Sequence, residues 1–291
     1  MPRQIADLPH ALRDRDELGR RLAGKRPAVF LDYDGTLTAI VDRPKDAIIS
    51  SSMREAIRSL ARRCPVCVVS GRDRRVVQEL MGLDDLIVAG SHGFDIWSPE
   101  GGTVQRDEGA GYKRLIEEVE APLREEMDDI DGAMVESKST SVAAHYRLVS
   151  DSEKHKVKEI VDAVIAEHPK ELKLTPGKMV QEIQPKIDWD KGKAVLYLLE
   201  VLDLNGDDVA PLYIGDDITD EDAFQALSGR GIGIFVGRAE DPEVGSRTTS
   251  ADYVLHTMPE VERFLRELAD SLDEPSAANG KAFEAGENRH E

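Results

Sequence analysis

The chain has 291 residues, 40% of them apolar, which is enough for one large folded unit or two modest ones with an ordinary core. Its formal net charge of −19 at pH 7 excludes nucleic acid and anionic membrane as expected partners, because phosphate-rich surfaces are bound by clustered Lys and Arg. Met1 to Gly19 carries Arg3, Asp7, Arg13, Asp14, Arg15, Asp16 and Glu17 and so has no apolar signal region, and no later stretch approaches membrane-spanning length; a cytoplasmic location is expected.

In chain order, residues 1–24 are expected to form a helical segment packed outside the main body. Ala28 to Leu31 is a short apolar run that stops at Asp32, Met53 to Arg63 has helix periodicity, and Val66 to Val69 is a second apolar run. Val76 to Met81 then reads as a helix and Leu86 to Ala89 as a strand, followed by the turn Gly90-Ser91-His92-Gly93. This alternation implies parallel α/β layering. From Gly111 the pattern changes. Tyr112 to Glu126 reads as an acidic amphipathic helix and Ala133 to Val135 with Ser141 to Leu148 as a hairpin; Ser152 to Glu167 then repeats the helix, and Leu172 to Leu174 with Met179 to Ile183 the strands. The first pattern resumes with a helix at Lys193 to Val201, a strand at Pro211 to Ile214, a helix at Glu221 to Leu227, and strands at Gly233 to Val236 and Tyr253 to Leu255.

The expected fold is therefore α/β: a Rossmann-like open parallel sheet from residues 25–110 and 187–272, interrupted by an inserted α/β cap at 111–186. Residues 273–291 are rich in Pro, Ser, Ala, Asn, Gly and Glu and are expected to be a disordered tail.

Two local patterns are set aside. Cys64-Pro65-Val66-Cys67 has the spacing of a redox or zinc motif, but it precedes a strand rather than opening a helix, and no second ligand pair follows; Cys67 reads as a small buried residue. Gly229-Arg230-Gly231-Ile232-Gly233 leads into a strand, not a helix, and lacks the third glycine spacing of a dinucleotide loop.

In open parallel sheets ligands bind at the carboxyl ends of the strands, and three strand ends here deliver polar groups: Asp32 with Asp34, Ser70, and Asp216 with Asp217. One Asp at a strand end is ordinary turn chemistry. Two such clusters converging would repel unless a cation neutralised them or their pKa values rose. Magnesium suits Asp32, Asp34 and Asp216, since it takes a few carboxylate oxygens and keeps positions open for phosphate.

These residues match a known pattern. Asp32-Tyr33-Asp34-Gly35-Thr36-Leu37, Ser70-Gly71-Arg72, Lys191-Gly192 and Gly215-Asp216-Asp217-Ile218-Thr219-Asp220 resemble, in order, the four motifs of the haloacid dehalogenase superfamily of phosphotransferases. Ala89-Gly90-Ser91-His92-Gly93, His145-Tyr146-Arg147, Ile187-Asp188-Trp189-Asp190-Lys191-Gly192-Lys193-Ala194 and Asp220-Glu221-Asp222-Ala223-Phe224 are similar to trehalose-6-phosphate phosphatases, over about Ala28 to Leu255. One departure is Ala39-Ile40, where relatives commonly have Pro before the isoleucine.

The resemblance implies Asp32 as nucleophile, Asp34 as acid and base, and Ser70 and Lys191 as contacts to the phosphoryl oxygens, with Lys193 an alternative lysine. It implies Mg2+ held by side-chain oxygens of Asp32 and Asp216 with the backbone carbonyl of Asp34, while Asp217 and Asp220 are second or supporting carboxylates. Gly71 and Arg72 are expected to contact the substrate, and His92 either faces the same cleft or caps its Gly-rich turn. Glu136, Lys138, His145, Arg147, Lys178 and Glu182 lie on or beside cap strands, where charges are ordinary on an exposed face; as a set of donors and acceptors they suit sugar hydroxyls. The expected reaction is hydrolysis of trehalose 6-phosphate. The motifs leave open a phosphatase for a glucosylglycerol or mannosylglycerate phosphate, a sugar phosphomutase and a non-catalytic sensor, and the sequence is silent on oligomeric state.

Overall fold

The computed structural model describes residues 2–99, 102–105, 112–241, 244 and 247–273. Six strands form the parallel part of an eight-stranded sheet: β2 (Arg26–Leu31), β3 (Val66–Val69), β4 (Ile87–Gly90), β11 (Val209–Gly215), β12 (Ile232–Val236) and β14 (Tyr253–Leu255), in the order β14-β12-β11-β2-β3-β4. Their sequences are continuous apolar runs because both faces are covered. Successive side chains go to opposite sides. Val29, Leu31, Val68, Leu212 and Ile214 pack with helices Ser51–Ala61 and Met258–Asp273, through Ile57, Leu60, Phe264 and Leu265. Phe30, Cys67, Val69, Tyr213 and Phe235 pack with helices Lys191–Val201 and Glu221–Ala226, through Val195, Leu198 and Phe224. The parallel register aligns the strand ends, so that Leu31 lies beside Ile214 and Val68, and the residues that follow each strand converge.

A second, four-stranded antiparallel sheet runs β7-β8-β10-β9, built from β7 (Met134–Ser137), β8 (Val142–His145), β9 (Leu172–Gly177) and β10 (Val180–Pro185). Here alternation separates the faces. Val135, Val142, Ala144, Leu172 and Ile183 are buried with Leu123 and Val161 from the helices Lys113–Met127 and Lys154–Glu167. The odd-face partners Glu136, His145 and Glu182 therefore turn the other way, toward the ends of the parallel strands, where they line a common cleft with Asp32.

Several expectations need correction. The parallel sheet is extended by β5 (Asp95–Ser98) and β6 (Gly102–Gln105), which add antiparallel to β4; Ile96 alone of β5 is buried, so the strand has little apolar signature. Residues 1–24 are not one helix. β1 (Arg3–Gln4) pairs with β13 (Thr248–Thr249), and only Arg15–Leu22 is α-helical. Between them the backbone is spent on the sheet edge, with Ala11 N donating to Val254 O at 3.0 Å and Val254 N to Pro9 O at 3.0 Å. This segment covers β14, an otherwise open edge. The helix Met258–Asp273 has no counterpart in the sequence reading and includes Asp273, whose carboxylate pairs with Arg63. Gly111 and residues 274–291 lie outside the described residues.

Cys64 and Cys67 are buried and unpaired, and burial pushes both thiols up, to about 12 for Cys64. Neither is a ready thiolate. No helix among the described residues is long and apolar enough to cross a membrane.

Candidate active site

The carboxyl end of β2 delivers Asp32, 5% exposed, into a buried ionic network. Lys191 Nζ donates to Asp32 Oδ1 at 2.6 Å and to Asp220 Oδ1 at 2.7 Å. The helix begins at Lys191, two residues earlier than expected, because Asp190 caps it by accepting from Lys193 N at 2.8 Å. The cap also fixes which lysine enters the site: Lys193 points away and pairs with Asp188.

Asp220 is fully buried and saturated. Besides Lys191 it accepts from Tyr213 Oη at 2.6 Å, Asp216 N at 2.9 Å and Asp217 N at 2.8 Å. Its oxygens are committed to holding Lys191 and the 216–217 backbone, so among the predicted metal ligands it is a support rather than a free donor. Burial opposes ionisation of Asp220, but Lys191 and its other donors outweigh burial and hold the carboxyl below its usual range. Burial, with Asp220 and Asp216 nearby, lifts Asp32 well above the usual range despite Lys191. Asp216 is lifted to about 7, again chiefly by burial and against the pull of Lys178.

Asp216 accepts from Thr36 Oγ1 at 3.3 Å and pairs with Lys178 from the turn between β9 and β10. Asp32, Asp216 and Asp220 each offer an oxygen within 4.8 Å of the others. Gly35 makes this approach possible. Its φ is +86°, and a Cβ there would stand 2.1 Å from Asp216 Oδ2. Buried carboxylate oxygens crowded against one another and against backbone fit a hard, oxygen-seeking cation such as magnesium.

Asp34 is held by a fork from Arg72: Nε to Oδ2 and Nη2 to Oδ1, both 2.6 Å, with Nη1 on Pro44 O at 2.7 Å. Arg72 was expected to contact substrate. It lines the cleft, but its guanidinium is spent on orienting Asp34. Ser70 Oγ accepts from Arg72 N at 3.1 Å, leaving its own proton for the cleft. Gly71 makes room for His92, since a Cβ would come within 2.8 Å of the imidazole ring.

The cleft above these groups measures about 170 Å³ and is lined by every site residue expected from the sequence except Asp220, which lies beneath it. Its roof is the polar face of the smaller sheet. Lys138 Nζ lies 3.0 Å from Glu182 Oε1, and Ser141 Oγ donates to the same carboxylate at 2.5 Å. His92 Nε2 sits 3.6 Å from Glu182 Oε2, beyond hydrogen-bond reach, and is a buried nitrogen with no hydrogen-bond partner among the described residues. Burial opposes the charge on Glu182, yet Lys138, His92 and Ser141 together hold it well below the usual range. Glu136 bonds His145 Nε2 at 2.8 Å, and Arg147 Nη2 donates to Lys178 O at 2.8 Å. Asp217 lines the cleft beside Thr219.

The sequence reading missed three supports. Tyr213, inside the predicted strand Pro211 to Ile214, and Thr36, in the motif that begins at Asp32, carry hydrogen bonds to the site aspartates. Trp189 Nε1 donates to His92 O at 3.0 Å, fixing a turn in which Ser91 (φ +50°) and His92 (φ +56°) are both left-handed, a conformation unfavourable for side chains with a Cβ.

The trehalose-phosphatase family profile matches residues 30–258. A probable trehalose-phosphate phosphatase of Arabidopsis thaliana is 42% identical over 277 residues, covering 91% of this chain and 73% of that protein. A trehalose 6-phosphate phosphatase of Zea mays is 41% identical over 293 residues, covering 92% and 79%. Among solved structures, the C-terminal domain of the trehalose-6-phosphate phosphatase of C. albicans superposes with a TM-score of 0.77 at 22% identity, over 91% of this chain and 99% of that one, a likeness of fold.

Proposed function

The chain belongs to the trehalose-phosphatase family, and from that membership we propose that it hydrolyses trehalose 6-phosphate to trehalose and phosphate, with Asp32 as nucleophile and magnesium as cofactor. The observation that carries this reading is the buried pair of Asp32 and Lys191, 2.6 Å apart at a strand end, beneath a cleft whose roof is a sheet face of mixed charge.

A free oxygen of Asp32 attacks phosphorus as the ester oxygen departs, leaving an acyl phosphate on Asp32. Asp34 gives its proton to the departing sugar oxygen, then takes one from the water that attacks the acyl phosphate, releasing phosphate and restoring Asp32. Arg72 sets the aim of Asp34 and favours its carboxylate, the form that takes a proton from water, and the fork must loosen for Asp34 to carry the proton given to the sugar oxygen. Lys191 and the Ser70 hydroxyl donate to phosphoryl oxygens as charge builds on them. Asp32 and Asp216 would hold the magnesium ion, with the Asp34 backbone and Asp217 beside it and Asp220 fixing the frame. Bound there, magnesium supplies positive charge against the crowded carboxylates and the substrate phosphate.

The roof acts as a cap, residues 111–186 of the chain, that selects the sugar. Glu136, Lys138, His145, Arg147, Lys178, Glu182 and His92 present both donors and acceptors to hydroxyls and exclude bulk water when closed. Because Glu136 with His145, Lys138 with Glu182 and Lys178 with Asp216 are already paired, the sugar exchanges existing contacts at these groups rather than meeting bare charges, while His92 Nε2 has no bond to give up.

Two experiments test this reading. Chelation is expected to abolish phosphate release, and added Mg2+ to restore it. Borohydride quenching during turnover is expected to convert residue 32 to homoserine; homoserine elsewhere, or unaltered Asp32, removes the nucleophile assignment.

A further inference from the structure

Asp73 stands at the N-cap position of the helix Arg74–Met81, where an Asp side chain ordinarily accepts from the first free N–H groups of its own helix. It makes no such bond. Its oxygens instead accept from Ser139 N at 3.0 and 3.1 Å, from Ser139 Oγ, and from Ser91 Oγ at 2.9 Å. Ser139 belongs to the turn between β7 and β8, closed by Lys138 N donating to Ser141 O at 3.0 Å. Ser91 is the first residue of the left-handed pair after β4, and its N–H donates to Arg72 O at 2.7 Å. One carboxylate thus ties together the loop after β3, the turn after β4 and the tip of the cap hairpin.

The position of this knot matters. Asp73 and Ser139 do not line the cleft, so a substrate does not displace them. The cap's direct contacts to the reaction centre, Lys178 to Asp216 and Glu182 toward His92, lie inside the cleft and must rearrange when phosphate or sugar arrives. Ser139 is also the neighbour of Lys138, whose ammonium is the 3.0 Å partner of Glu182. Anchoring the turn fixes the root of that pair.

We propose that Asp73 is a positioning residue that clasps the β7–β8 turn to the larger sheet and so holds Lys138, and through it Glu182, in register over the cleft. The inference rests on the reading of the cleft as a sugar-phosphate site. The carboxylate has been diverted from helix capping to closure, and its loss acts on sugar binding rather than on the phosphoryl chemistry.

The alternative is a plain helix-capping role, and side-chain length separates the two. Asp73→Ser keeps a capping oxygen but is too short to reach Ser139, Asp73→Asn keeps an acceptor of full length, and Asp73→Ala has neither. The clasp predicts that the Ser and Ala variants raise KM for trehalose 6-phosphate by about tenfold, the size expected for loss of charge-assisted hydrogen bonds, with Asn recovering part of it. Turnover of p-nitrophenyl phosphate, which has no sugar for the cap to hold, stays within about twofold. In substrate-free protein the Ser139 amide exchanges hydrogen about tenfold faster in the Ser and Ala variants. Recovery of both KM and exchange by Asp73→Ser would assign the residue to capping and overturn the proposal, as would unchanged exchange in Asp73→Ala. If the Ala variant does not fold, Asp73→Ser carries the test with Ser139→Ala, which removes one donor and is expected to loosen the turn less. A protein inert toward trehalose 6-phosphate would defeat the functional reading, while the exchange measurement would still decide the clasp.

Discussion

The floor and the roof of the cleft are both rich in charge, yet they are built in opposite ways. The floor gathers Asp32, Asp216 and Asp220 from the ends of two strands and Lys191 from the start of a helix, and each is almost wholly buried in a network whose members cannot move independently. The roof takes its charges from neighbouring antiparallel strands, where Glu136, His145 and Glu182 share one sheet face by simple alternation. Chemistry that must stabilise a transition state needs preorganised groups, whereas sugar hydroxyls can be met by side chains that change partners. The contrast implies that floor substitutions remove catalysis or folding, and that roof substitutions shift binding.

The largest expected effect breaks the floor. Asp32→Asn lowers kcat for phosphate release by at least about 10⁴-fold, the order seen when a nucleophile is deleted, with little change in KM. Full magnesium-dependent release by that variant would contradict the assignment. Next, Lys191→Met leaves Asp32 and Asp220 facing each other without their shared cation. Breaking a buried ion pair costs ~3–5 kcal/mol, so a lower midpoint in urea unfolding should accompany the loss of activity. An unchanged midpoint would mean the network is not structural. Gly35→Ala tests the crowding itself: a left-handed backbone and the 2.1 Å clash with Asp216 should cost ~1–3 kcal/mol and weaken Mg2+ binding measured by calorimetry.

The roof should respond differently. Glu182→Gln is expected to raise KM for the sugar phosphate about ten- to a hundredfold, the worth of a charged hydrogen bond, with kcat changed less. An equal fall in kcat would merge roof with floor and break the comparison. The same variant has a pH signature. Glu182 is held below its ordinary value of 4.5, so its contribution to stability is complete above about that pH and is lost as pH falls through its lower folded value. The melting-temperature gap between wild type and Glu182→Gln should therefore narrow as pH drops below about 4.5. A gap that widened in acid would reverse the sign of the argument.

The floor was legible in the sequence because its geometry is carried by strand ends: an apolar run that stops at Asp32, and another that stops at Gly215-Asp216-Asp217, specify where carboxylates converge. The roof's charged groups could be picked out as lying on or beside strands, Glu136, His145 and Glu182 on one face and Lys138, Arg147 and Lys178 in the adjoining turns, but their pairings were not legible. Which of Lys138 and His92 takes Glu182 depends on how two sheets meet, and no local pattern records that. The fork from Arg72 to Asp34 was illegible for the same reason, since the two are 38 residues apart and only the fold brings them together. Strand β5, second from the sheet edge, escaped notice because a single buried Ile96 gives no periodicity. Helix Met258–Asp273 did carry a signal in Val261, Phe264, Leu265 and Leu268, overlooked beside the polar tail. Asp73 reads in sequence as a helix cap, and only the position of Ser139 reveals its other use.

The most direct measurement is kcat/KM for phosphate release on trehalose 6-phosphate beside glucose 6-phosphate, glucosylglycerol phosphate and mannosyl-3-phosphoglycerate, with Mg2+ and with Asp32→Asn as control. The account predicts the highest value on trehalose 6-phosphate and none with the variant. Good turnover of another member with failure on trehalose 6-phosphate would contradict it.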